Sequence, residues 1–526
     1  MKNTFLLVLV SLLSITSFSQ IPEDALKFSW FRPTGTARVQ GIGGAMGSLG
    51  GDISANYVNP AGLAFFKTND FVITPGFSML TNKSTFRGDL ASDQKSAFSL
   101  GTSGAVFGFN DKYSRWNGKA FSIAVSQIAN FNSNITYSGK NNFSSYGEQY
   151  AAEVAGSGLS LDDVINSPSV SFQSRMAVYS FLADTTTLAG KSSPDVVSLA
   201  MRDNLKNGGT FLVNQQNNIQ SKGGITEIAV GFAATNQDKI YLGGSIGIPI
   251  VNYEKHSVFR ESDATGNNNN NFNYSELTEN ATTKGIGVNV KLGLIFKPVE
   301  QLRLGLAVHS PTMYGLKDTY DASMTTDVEE YIPYADKPTY KPHTTTVDVR
   351  TLNGGQISSY KYNLVNPWRV LVSGSYVLSE VEDVKKQKGF ITADIEYVNY
   401  KSNKYSIADE NGDNSYYDNV NKAIKDYYKG AFNFRVGGEV KFTTIMARLG
   451  FAYYGNPYKD SELKGRKMFI SGGLGYRNKG MFIDLAYVYG LNRDISFPYR
   501  LPDKANTFAL VKGNGSNIAI TGGFKF

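Results

Sequence analysis

"AFNFRVGGEVKF", Ala431 to Phe442, places Phe432, Phe434, Val436, Val440 and Phe442 on one side of an extended chain and Asn433, Arg435, Glu439 and Lys441 on the other. That is a period of two, the mark of a β-strand with one apolar and one polar face. The same separation recurs in Ile286, Val288, Val290, Leu292, Leu294 and Phe296 against Asn289 and Lys291, and in Leu302, Leu304, Leu306 and Val308 against Arg303 and His309. It returns in Ile391, Ala393, Ile395 and Tyr397 against Thr392, Asp394 and Glu396. Each strand has one greasy face.

A water-soluble sandwich shows the same alternation, so the connections must separate the two architectures. The pattern predicts strands near 69–80, 94–108, 118–129, 224–234, 239–251, 282–297, 301–311, 364–379, 388–400, 430–442, 445–455, 467–477, 480–490 and 515–526. Short links at 109–117, 235–238, 298–300, 380–387, 443–444 and 478–479 alternate with long ones at 81–93, 130–223, 252–281, 312–363, 401–429, 456–466 and 491–514. An even strand count with short turns at one end and long loops at the other is the arrangement of outer-membrane barrels. The last strand, "NIAITGGFKF", sets Ile518, Ile520, Phe524 and Phe526 on one face and ends on an aromatic residue, which resembles the signal that barrel-assembly machinery reads. The expected fold is therefore all-β, a 14-stranded antiparallel transmembrane β-barrel.

About eight strands already suffice to fill a barrel with side chains, so this lumen is wide. Its expected inward set is charged: Lys291, Arg303, Arg369, Asp394, Glu396, Arg435, Glu439, Lys441, Arg448 and Asp484. Either water or polypeptide must occupy that space. Residues 20–68 precede the first strand and offer the polypeptide, since they join six glycines from Gly41 to Gly51 and the Asn59-Pro60 turn to apolar Leu49, Ile53, Tyr57, Val58, Leu63, Phe65 and Phe66. They read as an N-terminal hatch plugging the lumen, with the barrel proper over 69–526.

Composition agrees with this reading once the alternation is allowed for. A hydrophobic fraction of 41% and a mean hydropathy of −0.24 look soluble, but a membrane barrel carries only one apolar face. The 31 Tyr, 33 Phe and 53 Gly suit strands and tight turns. Zero Cys excludes a disulfide scaffold and a thiolate metal site. Lys2, the apolar run Phe5 to Leu13 and Ser17-Phe18-Ser19 describe a secretory signal peptide over 1–19. Beyond it no run of about 18 apolar residues could span a bilayer as a helix. The net charge of +7 comes without a basic cluster, so no nucleic-acid partner is expected.

"ARVQGIGGAMGSLGGDISANYVNPAGLAFF", Ala37 to Phe66, resembles the amino-terminal hatch of the FadL/TodX family of outer-membrane transporters for long-chain fatty acids and other hydrophobic compounds. Asn59-Pro60-Ala61 matches that family's NPA motif, and Gly62-Leu63 continues the match. "GIPIVNYEKH" (Gly247 to His256), "GVNVKLGLIFKPVEQLRLGLAVHSPTMY" (Gly287 to Tyr314) and "ADIEYVNY" (Ala393 to Tyr400) are similar to the family's barrel stretches. The resemblance implies passive, hatch-gated uptake of a hydrophobic small-molecule ligand, which is captured among extracellular loops, enters a pocket in the barrel and leaves sideways through an opening near the third strand. It implies a monomer in the outer membrane of a Gram-negative bacterium, in contact with outer-membrane lipid and lipopolysaccharide. Asn59, Pro60, Ala61, Gly62 and Leu63 are the hatch and gating candidates. Asn59, Pro60 and Ala61 would hold the hatch against the wall near strand 118–129, or form a turn that lets the plug fold.

Two further sets carry expectations. In loop 130–223, Tyr150 to Ile165 and Val196 to Leu205 have helical spacing, and Phe172, Met176, Tyr179, Phe181 and Leu182 form an apolar patch between them. Loops this long are seldom without function, and the patch reads as a ligand groove or as a cover that packs on its neighbours. Lumenal Lys291, Arg303, Arg369 and Arg435 would meet a carboxylate headgroup, or be paired with Asp394, Glu396 and Glu439.

Other chemistry is poorly supplied. "GIGGAM" at Gly41 fails the dinucleotide pattern and lacks a βαβ context, and "DENGDN" at Asp409 lacks the sixth-position Gly and twelfth-position Glu of a calcium loop. His256, His309 and His343 lie in separate segments with no evident Ser and acid partners. No enzyme, cofactor or metal is expected. A FadL-like adaptor barrel of a secretion system and a water-filled porin are the alternatives to a transporter.

Overall fold

The computed structural model describes residues 22–526 other than 33, 112, 335, 379–387, 410, 411, 413, 462 and 464. The expected signal peptide at 1–19 and the expected link at 380–387 lie outside the described residues, as does part of Asp409–Asn414. Among the described residues, fourteen antiparallel strands close into a barrel. They are β1 (Asp70–Ile73 and Pro75–Phe86), β2 (Asp89–Leu100 and Ser103–Asn110), β3 (Gly118–Asn130 and Ser133–Asn141), β4 (Val213–Asn236), β5 (Ile240–Asp263), β6 (Tyr274–Val299) and β7 (Leu302–His309 and Met313–Asp327). The other half is β8 (Ser358–Val365 and Arg369–Leu378), β9 (Gly389–Asn399 and Lys404–Ile407), β10 (Gly430–Phe442), β11 (Ile445–Tyr454), β12 (Lys467–Asn478), β13 (Met481–Ser496) and β14 (Ala509–Lys525). Closure is made by β1 against β14, with Asp70 opposite Lys525 and Gly76 opposite Ala519. No helix among the described residues is long and apolar enough to cross a membrane.

The alternation holds in phase. On β10, Phe432, Phe434, Val436, Val440 and Phe442 are outward and 44–62% exposed, while Glu439 is 2% exposed in the lumen. On β5 the outward residues Ile240, Leu242, Ile246, Ile248 and Ile250 are all exposed, and above them the outward face turns polar at Asn252, Glu254, His256 and Arg260. An apolar stretch from 240 to 250 matches the roughly 9–11 residues a strand needs to cross a bilayer. The rest of β5 stands above the membrane on the side of the long loops.

That extension corrects several expected boundaries. β4, β5 and β6 run 24, 24 and 26 residues, so much of the segments read as loops 130–223 and 252–281 is strand. The expected long link at 81–93 is a two-residue hairpin, Arg87-Gly88, with φ of 52° and 98°, the left-handed pair that a tight antiparallel turn favours. Segment 312–363 contains the upper half of β7, and 401–429 contains the end of β9 and helix Ser415–Tyr427. Outside the membrane an outward position has no reason to be apolar, so the period-two signal fades while the strand continues.

Inside the extension lies a packed cap. Helices Gly147–Ser157, Leu161–Asn166, Phe172–Tyr179 and Leu199–Asn207 place Tyr146, Phe172, Met176 and Leu182 against Phe259, Leu277, Tyr320 and Met324 of the strands' inner face. Below it, helix Ser415–Tyr427 sets Tyr417 and Ile424 into the same core as Tyr362, Tyr405 and Phe28. Asn421 fixes that helix by accepting from Tyr405 N (2.7 Å) and donating to Tyr405 O (2.8 Å).

Candidate functional site

Residues 22–68 precede the first strand at Asp70 and are largely buried within the wall. Short helices Pro22–Lys27, Ala37–Gly41 and Ala55–Val58 and the 3₁₀ turn Pro60–Phe65 are all this segment forms, because its glycines favour turns over longer elements. The wall supplies partners for its backbone. Asp394 accepts from Met46 N (3.2 Å) and Gly47 N (3.1 Å), Thr521 Oγ1 accepts from Ala37 N (2.7 Å), and Arg303 donates to Leu49 O (2.5 Å). Arg369 and Asn366 donate to Ser29 O and Phe28 O, each at 2.5 Å. A buried backbone without such partners would carry unsatisfied polar groups, so this charged lumen is the complement of one specific segment.

Asn59 is the joint between segment and wall. Its Nδ2 donates to Gly47 O (2.6 Å) within the segment and to Leu294 O (3.2 Å) and Leu306 O (3.4 Å) on β6 and β7, while its Oδ1 accepts from Ala61 N (3.2 Å). Pro60 and Asn59 sit on Gly243 and Gly293, where a Cβ would overlap Pro60 backbone and Asn59 Oδ1 respectively. The wall behind Asn59, Pro60 and Ala61 is therefore β5 to β7, not the expected strand 118–129. What touches β3 and β4 instead is Asn56, whose Oδ1 accepts from Ser122 (2.8 Å), and Leu63, which lies beside Gly231. Gly62 packs on Gly50 and Ala55 within the segment.

The four cations expected to meet a headgroup all have protein partners. Lys291 is ion-paired with Glu227, Arg435 faces Asp394 (3.5 Å) and Glu396 (3.7 Å), and Arg303 and Arg369 hold the backbone carbonyls given above. The five groove candidates separate. Phe172, Met176 and Leu182 are in the cap's core, Tyr179 is 40% exposed, and Phe181 lies edge-on to Tyr334 and Tyr340 at the cap's margin.

A cavity of about 340 Å³ lies elsewhere, between residues 26–40 and the inner faces of β1–β3 and β12–β14. Its apolar lining is Leu26, Trp30, Phe31, Leu80, Phe131, Phe469 and Val488; its charged lining is Lys27, Arg32, Lys95, Lys467 and Asp494. Lys27 is paired with Asp24 (2.7 Å), and Lys467 stacks 3.6 Å over Trp30. Arg32 and Lys95 have no hydrogen-bond or ion-pair partner among the described residues. An aromatic-walled chamber with two unneutralised cations suits an amphipathic anion. Nothing in the strand alternation pointed to it; the signal lay in Trp30-Phe31-Arg32, ahead of the first strand.

The wall is interrupted beside this cavity. β2 pairs with β3 only over Ser103–Asn110 against Gly118–Val125, where Ser103 faces Val125 and Asn110 faces Gly118. Above that, Asp89–Leu100 pairs with β1 alone, and Ser133–Asn141 pairs with β4. No backbone ladder joins the two upper halves among the described residues; they meet through side chains, Asn134 Nδ2 donating to Gln94 O (3.2 Å) and Thr136 Oγ1 to Asp93 (3.0 Å). β3 breaks at Phe131-Asn132, after a register shift between Gln127 and Ala129, and its upper half leans inward, so that lumenal Asn82 of β1 donates to Asn134 O (2.6 Å). Gln127, Ala129, Phe131 and Asn132 at this break all line the cavity.

The cap is tied down by a buried acid. Glu261, above the apolar band on β5, accepts from Tyr146 N (3.0 Å), Gln215 Nε2 (2.6 Å) and the Ser145 hydroxyl. Burial pushes its carboxyl up to about 7, against the pull of those donors. An unfolded glutamic acid titrates near 4.3, so the native protein holds the proton over the window between, and the cap's stability falls as pH rises from about 4.3 to 7. We expect hydrogen exchange in helix Gly147–Ser157, corrected for intrinsic rate, to quicken across that window by an amount on the order of 2–3 kcal/mol. Glu261→Gln should flatten the dependence. An unchanged profile in that variant would exclude Glu261 as the titrating group.

Among the described residues no group of three or more His, Asp or Glu is placed to hold a metal ion. No protein-family model matches the chain, and no curated protein matches it either. Solved structures do. A FadL homologue of Pseudomonas aeruginosa aligns at a TM-score of 0.54 and 13% identity, covering 95% of this chain and 100% of that one. The toluene transporter TodX of P. putida aligns at a TM-score of 0.50 and 12% identity, covering 94% and 99%. Fourteen strands closed around a folded amino-terminal segment thus give this chain the fold of the FadL homologue and TodX.

Proposed function

We propose that the protein is a FadL/TodX-type outer-membrane transporter that takes up hydrophobic compounds passively, with residues 22–68 as its hatch. The observation that carries this reading is the cavity beside the interrupted β2–β3 wall. At about 340 Å³ it falls within the roughly 300–1,000 Å³ of small-ligand sites. A ligand there is one break in the wall away from lipid, so sideways exit needs no path through the hatch-filled lower lumen. Unpaired Arg32 and Lys95 favour a compound with an anionic end, and a long-chain fatty acid is the ligand class we infer. The segment-filled lumen supports this reading over an open porin.

The test is mass spectrometry of organic extracts from protein purified in mild detergent, compared with an unrelated barrel. Fatty acid should be enriched in the native protein. In Arg32→Gln with Lys95→Gln it should drop about tenfold, as loss of one or more charge-assisted contacts implies, while a neutral hydrocarbon such as toluene added to both is retained alike. Equal fatty-acid content in the two proteins would remove the headgroup role, and no enrichment in either after loading would remove the transporter reading.

A further inference from the structure

The outer wall carries an arrangement that transport through the lumen does not use. Lys284 on β6, Lys317 on β7 and Lys361 on β8 occupy directly opposed register positions, Lys284 facing Lys317 and Lys317 facing Lys361. All three are exposed and point outward. Residues opposed across neighbouring strands lie about 5 Å apart, and like charges so placed destabilise a sheet. None of the three has a hydrogen-bond or ion-pair partner among the described residues. Of the nearest acids on this face, Asp321 is paired with Arg350 (2.9 Å), and Glu254 sits between Lys222 and Thr282 in register, with Asn252 rather than an acid directly opposite Lys284. Three uncompensated cations in one row call for an anion from outside the chain.

The rows on either side say which kind. Two residues below the lysines the outward positions are Ile286, Gly315 and Asn363, and two further down Val288, Met313 and Val365, so the row sits on the upper rim of the apolar band, which begins one step lower on β8 than on β6. Gly315 has open space where a side chain would stand, which leaves a notch in that band directly under Lys317. Two residues above the lysines the opposed positions are Thr282, Thr319 and Ser359, a row of hydroxyls. Read from the membrane outward, the wall offers an apolar furrow, then cations, then hydroxyls. An acyl chain, a phosphate and a sugar match that order. A glycerophospholipid supplies the first two but no sugar, and the row faces the leaflet on the long-loop side.

We infer that Lys284, Lys317 and Lys361 form a site for the phosphate of a phosphorylated glycolipid of the outer leaflet, with an acyl chain along the Gly315 notch. The site lies outside the barrel and stands whatever passes through the lumen. Native mass spectrometry of the detergent-purified full chain, titrated with bis-phosphorylated lipid A, tests it. The native protein should bind that lipid about tenfold more tightly than its dephosphorylated form, and Lys284→Gln/Lys317→Gln/Lys361→Gln should bind it about tenfold more weakly than native, as loss of surface cations near a charged lipid implies. The corresponding triple arginine variant should keep binding, and heat-modifiable mobility checks that each barrel is folded. Should the triple glutamine variant fail to fold, Lys317→Gln alone should show a partial loss, and the dephosphorylated-lipid arm needs no variant. Equal affinity for the two forms of lipid A, or undiminished binding by the folded glutamine variant, would overturn the site. Phosphatidylglycerol binding as tightly as lipid A would overturn its assignment to a glycolipid.

Discussion

Arg448→Met should destabilise the barrel by about 3–5 kcal/mol, the usual cost of leaving buried charges without their partner. Arg448 Nε donates to Glu439 (2.6 Å) and Nη1 to Asp484 (2.6 Å), with all three side chains no more than 1% exposed. Glu439 lies directly opposite Arg448 across β10 and β11, and Asp484 two strands on in β13, so the arginine reaches past β12 to meet it. With methionine in place, Glu439 keeps Arg38 at 3.5 Å, but Asp484 loses the one hydrogen-bond donor that the described residues give it. Urea unfolding followed by heat-modifiable mobility reads the loss. The control is decisive, because replacing the whole cluster by Arg448→Met, Glu439→Gln and Asp484→Asn removes the stranded charges and should recover most of it. A single variant as stable as the native protein would mean that water, not the arginine, solvates both acids. Since Glu439 keeps its pair with Arg38, the single variant should leave residues 37–41 as resistant to proteolysis as in the native protein until the wall itself unfolds.

How far the sequence discloses this molecule follows from what faces lipid. Where an outward residue must be apolar, as at Phe432 to Phe442 or Ile391 to Tyr397, the strand, its phase and its inward charges can be read directly. Above the membrane the outward residues of β5 are Asn252, Glu254 and His256, and the same backbone leaves no apolar trace. The cap's helices Gly147–Ser157 and Leu161–Asn166 overlap the helical spacing legible over 150–165, and Leu199–Asn207 that over 196–205, but helix Phe172–Tyr179 reads only as an apolar patch because six of its eight residues are buried. Pairing was the harder question. Sequence leaves Arg435 either a ligand headgroup or a partner among Asp394, Glu396 and Glu439, and only register decides, setting Asp394 opposite Arg435 and Glu439 opposite Arg448. Of the two cavity cations left without partners among the described residues, Arg32 lies ahead of the first strand and Lys95 at the very start of the expected strand 94–108, where little apolar alternation marks its side. The same limit explains the seat of Asn59: that it meets β5 to β7 rather than β3 depends on where Gly243 and Gly293 fall along the closed wall, which no local pattern reports.

Those two glycines give the largest expected functional effect. Gly243→Val with Gly293→Val should open the barrel to ions, because each new side chain occupies the place of Pro60 backbone or of Asn59 Oδ1. Overpacking of this kind costs about 1–3 kcal/mol per site. Every 1.4 kcal/mol is a tenfold change in an equilibrium, so the unseated hatch should become about 5- to 100-fold more populated even if only one site counts in full. The wall itself has less to lose, since both strands keep their ladders and the substituted side chains point into the lumen. In planar bilayers the native protein should then show rare openings and the double variant frequent or standing current. Asn59→Ala should move the same way by less, because it removes the bonds to Gly47, Leu294 and Leu306 without inserting anything in their place. A folded double variant as quiet as the native barrel would separate the two roles of the NPA turn: the seat would then serve folding of the plug, and the barrier to flow would rest on Asp394, Arg303 and the other wall groups that grip the hatch backbone.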